Sequence, residues 1–166
     1  MKVSIIGGGI AGLGLALNLH ARGVDCQVFE GVSEVREIGV GITLLPHASR
    51  ELQALGVLDA LEAVAIENYE SVFFNRYGQF IYSEPAGRYA GYEYPMFSIH
   101  RGDLQMVLLD AFNARAGADR VITGWRCTGV DADAGIAHFV DAISGTPLPS
   151  QQGSVVVDCE IGRASC

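Results

Sequence analysis

Met1-Lys-Val-Ser-Ile-Ile-Gly-Gly-Gly-Ile-Ala-Gly-Leu-Gly-Leu-Ala-Leu-Asn-Leu-His20 is the stretch that decides how the rest of the chain is read. Val3, Ile5 and Ile6 make a β-branched run that stops where the glycines begin. Leu13, Ala16, Leu17 and Leu19 then recur at helical spacing, so the order is strand, tight turn, helix. In a chain with 21 glycines the spacing Gly7-x-Gly9-x-x-Gly12 can arise by chance. Its context adds weight: a strand before it, a helix after it, and a second strand, Asp25-Cys-Gln-Val-Phe-Glu30, that ends in an acid.

Each residue of this pattern has a physical task. Gly7 permits the sharp turn, Gly9 removes a Cβ so that a diphosphate can approach the backbone, and Gly12 lets the helix pack close to the strand. The amide N–H groups and the positive dipole end of the helix favour an anion there without a lysine. Glu30 can accept hydrogen bonds from a ribose diol and repels a 2′-phosphate. The pattern therefore points to a nucleotide of the adenosine-diphosphate type, as in FAD or NAD, and away from NADP. The plain alternative is a glycine-rich βαβ turn with a surface glutamate.

Bulk properties narrow the classes. A chain of 166 residues with 49% hydrophobic content suits one globular domain. No stretch approaches the roughly twenty apolar residues of a spanning helix, and the apolar N-terminus lacks the basic start of a signal peptide. The expectation is a cytoplasmic protein without a membrane partner. A formal charge of −8 opposes binding to nucleic acid, which is held by clustered lysine and arginine. The cysteines at 26, 127, 159 and 166 form no C-x-x-C pair, and the histidines at 20, 47, 100 and 138 show no ligand spacing, so neither a metal site nor a disulfide framework is expected.

After Glu30, residues 31–46 read as a long loop with Arg36 as its only cation and with Gly39 and Gly41 able to lie flat on a planar ligand. Pro46–Leu55 reads as a helix stopped by Gly56, and Val57–Ala65 as a second short one. Glu70–Asn75 and Phe80–Tyr82 form a β-hairpin with alternating aromatics on one face. Residues 85–95 are a connecting loop in which Tyr89, Tyr92 and Tyr94 either pack or wall a substrate. Phe97–His100 is a strand that enters a helix over Arg101–Phe112, with Asp103 in its first turn. Arg120–Thr123 is a third parallel strand. Trp125–Val130 and Ile136–Ala142, followed by a polar turn over residues 144–153, form a small antiparallel meander, and the Val155–Val157 triplet returns as a buried parallel strand.

Four ordered blocks resemble one family: Gly7–Gly14, Phe29-Glu30, Glu37–Ile42 with Pro46-His-Ala48, and Ile99-His-Arg-Gly-Asp-Leu104. They are similar to the single-component FAD-dependent aromatic hydroxylases typified by para-hydroxybenzoate hydroxylase. Ser83–Gly87 and Tyr94–Leu109 look most like the phenazine-carboxylate hydroxylase branch. The resemblance covers residues 1 to about 159 and implies an α/β fold: a Rossmann-like FAD-binding βαβ sheet, a small antiparallel meander, and, over residues 69–98, the first hairpin of a substrate-domain sheet.

Residue by residue, the resemblance implies that Gly7, Gly9 and Gly12, with Ala11 in the same turn, hold the FAD pyrophosphate and that Glu30 holds the ribose. It implies that Arg36 and Arg101 contact the pyrophosphate or ribityl side and that Val40 and Gly41 lie beside the isoalloxazine. In the family, NAD(P)H reduces the flavin, which activates O2 and delivers one oxygen atom to a small aromatic substrate, so no nucleophile or general base is needed from this stretch. Members continue with a Gly-Ala-Asp-Gly-like motif and a substrate domain. Here Val155–Cys159 heads into that motif, but Glu160–Cys166 does not match and reads as a non-native tail of adapter-like sequence. Residues 1–159 are thus expected to be an incomplete FAD-binding domain that retains flavin weakly or not at all. Rival readings are an NAD-dependent dehydrogenase, an amine oxidase or squalene-epoxidase-like enzyme, and an inert α/β fragment.

Overall fold

The computed structural model describes residues 1–33 and 40–160. In chain order its elements are β1 (Lys2–Ile6), α1 (Ile10–Ala21), β2 (Asp25–Phe29), β3 (Gly41–Leu44), α2 (Pro46–Ala54), α3 (Leu58–Glu62), β4 (Ile66–Glu67), β5 (Glu70–Phe74) and β6 (Phe80–Pro85). They continue with β7 (Phe97–His100), α4 (Arg101–Ala116), β8 (Val121–Ile122), β9 (Trp125–Asp131), β10 (Ile136–Asp141), β11 (Pro147–Gln152) and β12 (Val155–Asp158). The chain divides into two compact units. One takes in residues 1–33 and 108–160, the other residues 40–107.

The first unit is built on a parallel sheet in the order β12-β1-β2-β8. Alternation along β1 and β2 sends Ile5 and Val28 to one face and Ile6 and Phe29 to the other, all fully or almost fully buried. The Ile5 face takes α1, whose buried residues Gly12, Leu13, Ala16 and Leu17 recur at helical spacing. The Ile6 face takes a three-stranded antiparallel meander in the order β11-β10-β9. There Ile6, Phe29, Ala137 and Phe139 form a buried cluster edged by Ile122, Trp125, Cys127, Leu148 and Val156. Phe29 and Phe139 meet at 4.7 Å between ring centroids, with Trp125 at 5.6 Å from Phe29 and 5.4 Å from Phe139. Each large apolar side chain so removed from water contributes roughly 1.5–3 kcal/mol.

The second unit holds a three-stranded antiparallel sheet in the order β3-β7-β4, the helices α2 and α3, and the β5–β6 hairpin. Arg88 ties it together with ion pairs to Glu62 at 2.9 Å and Glu67 at 3.2 Å. Hairpin aromatics meet across the strands, Phe73 stacked on Tyr82 and Phe74 edge-on to Phe80. All four are at least two-fifths exposed, as are Val72 and Ile81.

Three sequence expectations are corrected. The long loop contains strand β3, whose Gly41 pairs with His100, so a partner far along the chain makes the strand. The polar turn after β10 contains strand β11, with Pro147 opposite Val140 and Leu148 opposite Phe139. As an edge strand it tolerates Pro147 and Pro149, whose missing N–H groups would break a central strand. The valine triplet does pair with β1 in parallel register, but at the margin of the sheet, and Val155 is 43% exposed. The tail after Glu160 lies outside the described residues.

Candidate functional site

The site begins at the carboxyl end of β1. Gly7 has φ of +101°, a region that favours glycine, and its N–H donates to the Phe29 carbonyl at 2.8 Å. A Cβ at Gly7 would sit 3.2 Å from the Cys159 carbonyl carbon. At Gly12 a Cβ would fall 1.9 Å from the Gly7 carbonyl oxygen and 3.3 Å from Ile5, so only glycine allows this helix to approach the strand. Gly9 is different: a Cβ there would meet nothing within 4 Å. Gly9 is the N-cap of the twelve-residue α1, without a side-chain cap and without an acid in the first turn, and Ala11 is exposed beside it. Among the described residues nothing occupies the space in front of Gly9 and no acid lies in the helix's own first turn, and the first amide groups of a helix lack intrahelical acceptors. These are the conditions a diphosphate needs.

Glu30 follows directly on β2 and is half-buried. Its Oε2 accepts from the Gly8 N–H at 2.6 Å and its Oε1 from the Val32 N–H at 2.9 Å. Its backbone is held as well, the N–H donating to the Ile122 carbonyl at 2.8 Å and the carbonyl accepting from the Trp125 N–H at 2.9 Å. Sequence spacing placed Glu30 at the tip of β2; it gave no sign that the carboxylate reaches the glycine turn. At the same end of this unit a pocket of about 210 Å³ is lined by Ile6, Cys127, Thr128, Gly129, Asp158 and Glu160. Burial, and then the neighbouring Asp158, push the Cys159 thiol above its usual range. That pocket was also not readable, because β9 and β12 enter it from distant parts of the chain.

In the second unit the antiparallel pairing of β3 and β7 brings Val40 and Gly41 beside His100 and Arg101. The Arg101 N–H donates to the Val40 carbonyl at 3.1 Å. Val40 is 72% exposed, and Gly41 and Arg101 are exposed too. His100 Nδ1 accepts from the Gly102 N–H at 3.2 Å, capping α4 and fixing the junction that presents Arg101. Arg36 lies outside the described residues. A separate cleft of about 750 Å³ in this unit is lined by the first turn of α2, the end of β6 and the Tyr92–Met96 segment. Tyr92 and Tyr94 wall it, with His47, Arg50, Ser71, Glu84 and Glu93 among its polar groups, whereas Tyr89 packs edge-on against Tyr69 at 4.6 Å.

Among the described residues no group of three His, Cys, Asp or Glu side chains is placed to hold a metal ion, and no helix is long and apolar enough to cross a membrane.

Comparison with known proteins gives a consistent result. Residues 1–130 match the family described as FAD binding domain. The chain is 45% identical over 125 residues to phenazine 1,6-dicarboxylic acid hydroxylase PhzS of Lysobacter antibioticus, covering 75% of this chain and 31% of that protein. It is 32% identical over 174 residues to 3-hydroxybenzoate 6-hydroxylase of Polaromonas naphthalenivorans, covering 99% of this chain and 43% of that protein. The chain thus spans less than half the length of these relatives, 31% of one and 43% of the other. Among solved structures, p-nitrophenol 4-monooxygenase PnpA from Pseudomonas putida superposes with a TM-score of 0.83 at 19% identity, over 94% of this chain and 40% of that one. The flavin-dependent monooxygenase PieE, solved in complex with FAD and substrate, gives 0.78 at 18% identity over 94% and 30%. At such identities the likeness is one of fold.

Proposed function

Because the chain belongs to the FAD binding domain family, we propose that it is the nucleotide-holding part of a flavin-dependent monooxygenase that hydroxylates a small aromatic substrate with NAD(P)H and O2. The observation that carries this reading is the open glycine turn: Gly12 seated on Gly7, Gly9 facing free space, and Glu30 braced against the turn. Gly7, Gly9, Ala11 and Gly12 would receive the diphosphate, and Glu30 the ribose diol. Val40 and Gly41 would lie beside the isoalloxazine, and Arg101 would offer a cation to the pyrophosphate or ribityl side, as Arg36 would. When bound, FAD supplies the redox chemistry with NAD(P)H and O2.

The protein's own work is to bind, orient and exclude water, which agrees with a site built from backbone N–H groups, glycines and one carboxylate rather than a nucleophile and base. Two relatives act, by their names, on aromatic acids, which supports an aromatic ring as the substrate class. The Tyr92 and Tyr94 cleft is a candidate part of its wall. The 69–98 segment is proposed as the start of a substrate-domain sheet, on the strength of the exposed apolar hairpin, with residues 1–159 as the incomplete FAD-binding domain and 160–166 as a non-native tail. The cytoplasm fits a protein of this kind.

Equilibrium dialysis against FAD, ADP and riboflavin tests the reading. ADP is expected to compete with FAD, and riboflavin, which lacks the diphosphate and adenosine, to compete much more weakly than ADP. Competition by riboflavin alone would refute it. Turnover is expected only from a protein in which this domain is joined to a substrate domain; hydroxylation by the 166-residue chain alone would contradict the proposal.

A further inference from the structure

We infer that Glu30 is a positioning residue, one that sets the shape of the glycine turn before any nucleotide arrives, through two backbone donors that its carboxylate holds at once. One donor, the Gly8 N–H, comes from the turn between β1 and α1; the other, the Val32 N–H, comes from the segment leaving β2. The Glu30 backbone is independently fixed to β8 and β9 through Ile122 and Trp125. The side chain is thus a strut from a pinned point of the sheet to a turn that has no side chain of its own to brace it.

The choice of acid follows from the inventory of donors and acceptors. An ionised carboxylate offers about four acceptor positions. Two are taken by Gly8 and Val32, and two remain for a ribose diol, so bracing the turn and reading the sugar are compatible on one group. Glutamine has a nearly identical shape but only one acceptor oxygen. Whichever N–H that oxygen serves, the amide NH2 is turned toward the other N–H, donor against donor. Aspartate is one methylene shorter and cannot span both. The turn is closed from its own side as well, because a Cβ at Gly8 would lie 3.1 Å from both Cβ and Oε2 of Glu30.

This inference rests on the nucleotide reading only for what the turn is for; the brace itself can be tested without ligand. Amide exchange is measured by NMR on the nucleotide-free 166-residue chain, its Glu30→Gln variant and its Gly8→Ala variant. Glu30→Gln is expected to speed exchange at Gly8, Val32 or both by about tenfold, the scale of a lost hydrogen bond to a charged group, with Ala137 and Phe139 unchanged. Gly8→Ala keeps every backbone donor but wedges the carboxylate, so it is expected to speed exchange at Val32, a residue that a merely local disturbance of the turn would not reach. Parental rates at Gly8 and Val32 in both variants would overturn the inference. Binding of inorganic pyrophosphate, which has no ribose, is then compared with binding of ADP. A loss of affinity for pyrophosphate in Glu30→Gln, with a larger loss for ADP, supports the brace, and a loss confined to ADP overturns it, leaving Glu30 a ribose contact alone. If neither ligand binds the parent chain, the nucleotide reading fails while the exchange rates still decide the brace.

Discussion

A Cβ built on Gly12 would stand 1.9 Å from the carbonyl oxygen of Gly7. The strand end and the helix start are therefore in backbone contact, and the two glycines are required by each other. Gly9, three residues earlier, faces open space.

The two glycines should respond oppositely to the same methyl group. Gly12→Ala must push the helix off the strand and is expected to lower stability by about 1–3 kcal/mol, the usual range for overpacking. Gly9→Ala is expected to keep the parental melting temperature within a few degrees while losing ADP and FAD binding, because the methyl occupies the space proposed for the diphosphate. Thermal melts and ligand titrations on both variants check the pair. A Gly9→Ala protein that binds ADP as the parent does would count against the site.

The seam between the parallel sheet and the meander is carried by stacked aromatics. Phe139→Ala removes a buried ring that touches both Phe29 and Trp125, and a loss of about 3–5 kcal/mol is expected. Trp125 is the chain's single tryptophan, so its fluorescence should shift to the red in the same variant, and urea melts followed at that signal measure the loss.

Strong acid should loosen the turn after β10. The backbone N–H of Ser144, its hydroxyl and the backbone N–H of Ile143 donate to Asp141, and these bonds hold its carboxyl below the usual carboxylate range. Because the folded-state pKa is depressed, this contribution is complete above the unfolded value of about 3.9 and fades as pH falls through the lower folded one. Amide exchange at Ser144 is expected to quicken relative to the sheet only in that acid window. An Asp141→Ala variant should show the fast exchange at neutral pH as well.

The hairpin carries its apolar side chains in the open, Phe80 at 62% and Ile81 at 61% exposed. Ile81→Lys is therefore expected to change the melting temperature little, within about 0.5 kcal/mol for a surface position. It should also lower binding of a hydrophobic dye and raise the concentration at which the chain stays in solution. Light scattering and dye fluorescence read both effects.

Legibility from sequence followed the range of the interactions. β1, α1 and β2 could be read because their signals are local: branched residues, glycines at fixed offsets and an apolar helical stripe within thirty residues of one another. β3 could not, since Gly-Ile-Thr-Leu has no strand pattern of its own and acquires one by pairing with Phe97–His100. β11 was hidden by Pro147 and Pro149, which mark a turn in sequence and an edge strand in space. In the first unit, the strand–turn–helix around Gly7, Gly9 and Gly12 and the place of Glu30 at the end of β2 were legible from spacing; in the second, the proposed roles of Val40 and Arg101 came only with the family resemblance. The Gly8 to Glu30 bond and the pocket between β9 and β12 depend on tertiary approach and had no local signal.

The most direct test of the account is a titration of the isotopically labelled chain with ADP and with ADP bearing a 2′-phosphate, followed at the backbone amides. The account predicts saturable shifts at Gly7 to Leu13 and at Glu30 to Val32 with ADP, and at least about tenfold weaker binding of the 2′-phosphorylated form, because the Glu30 carboxylate repels it. Shifts elsewhere in the chain with those residues unmoved, or equal affinity for the two nucleotides, would contradict it.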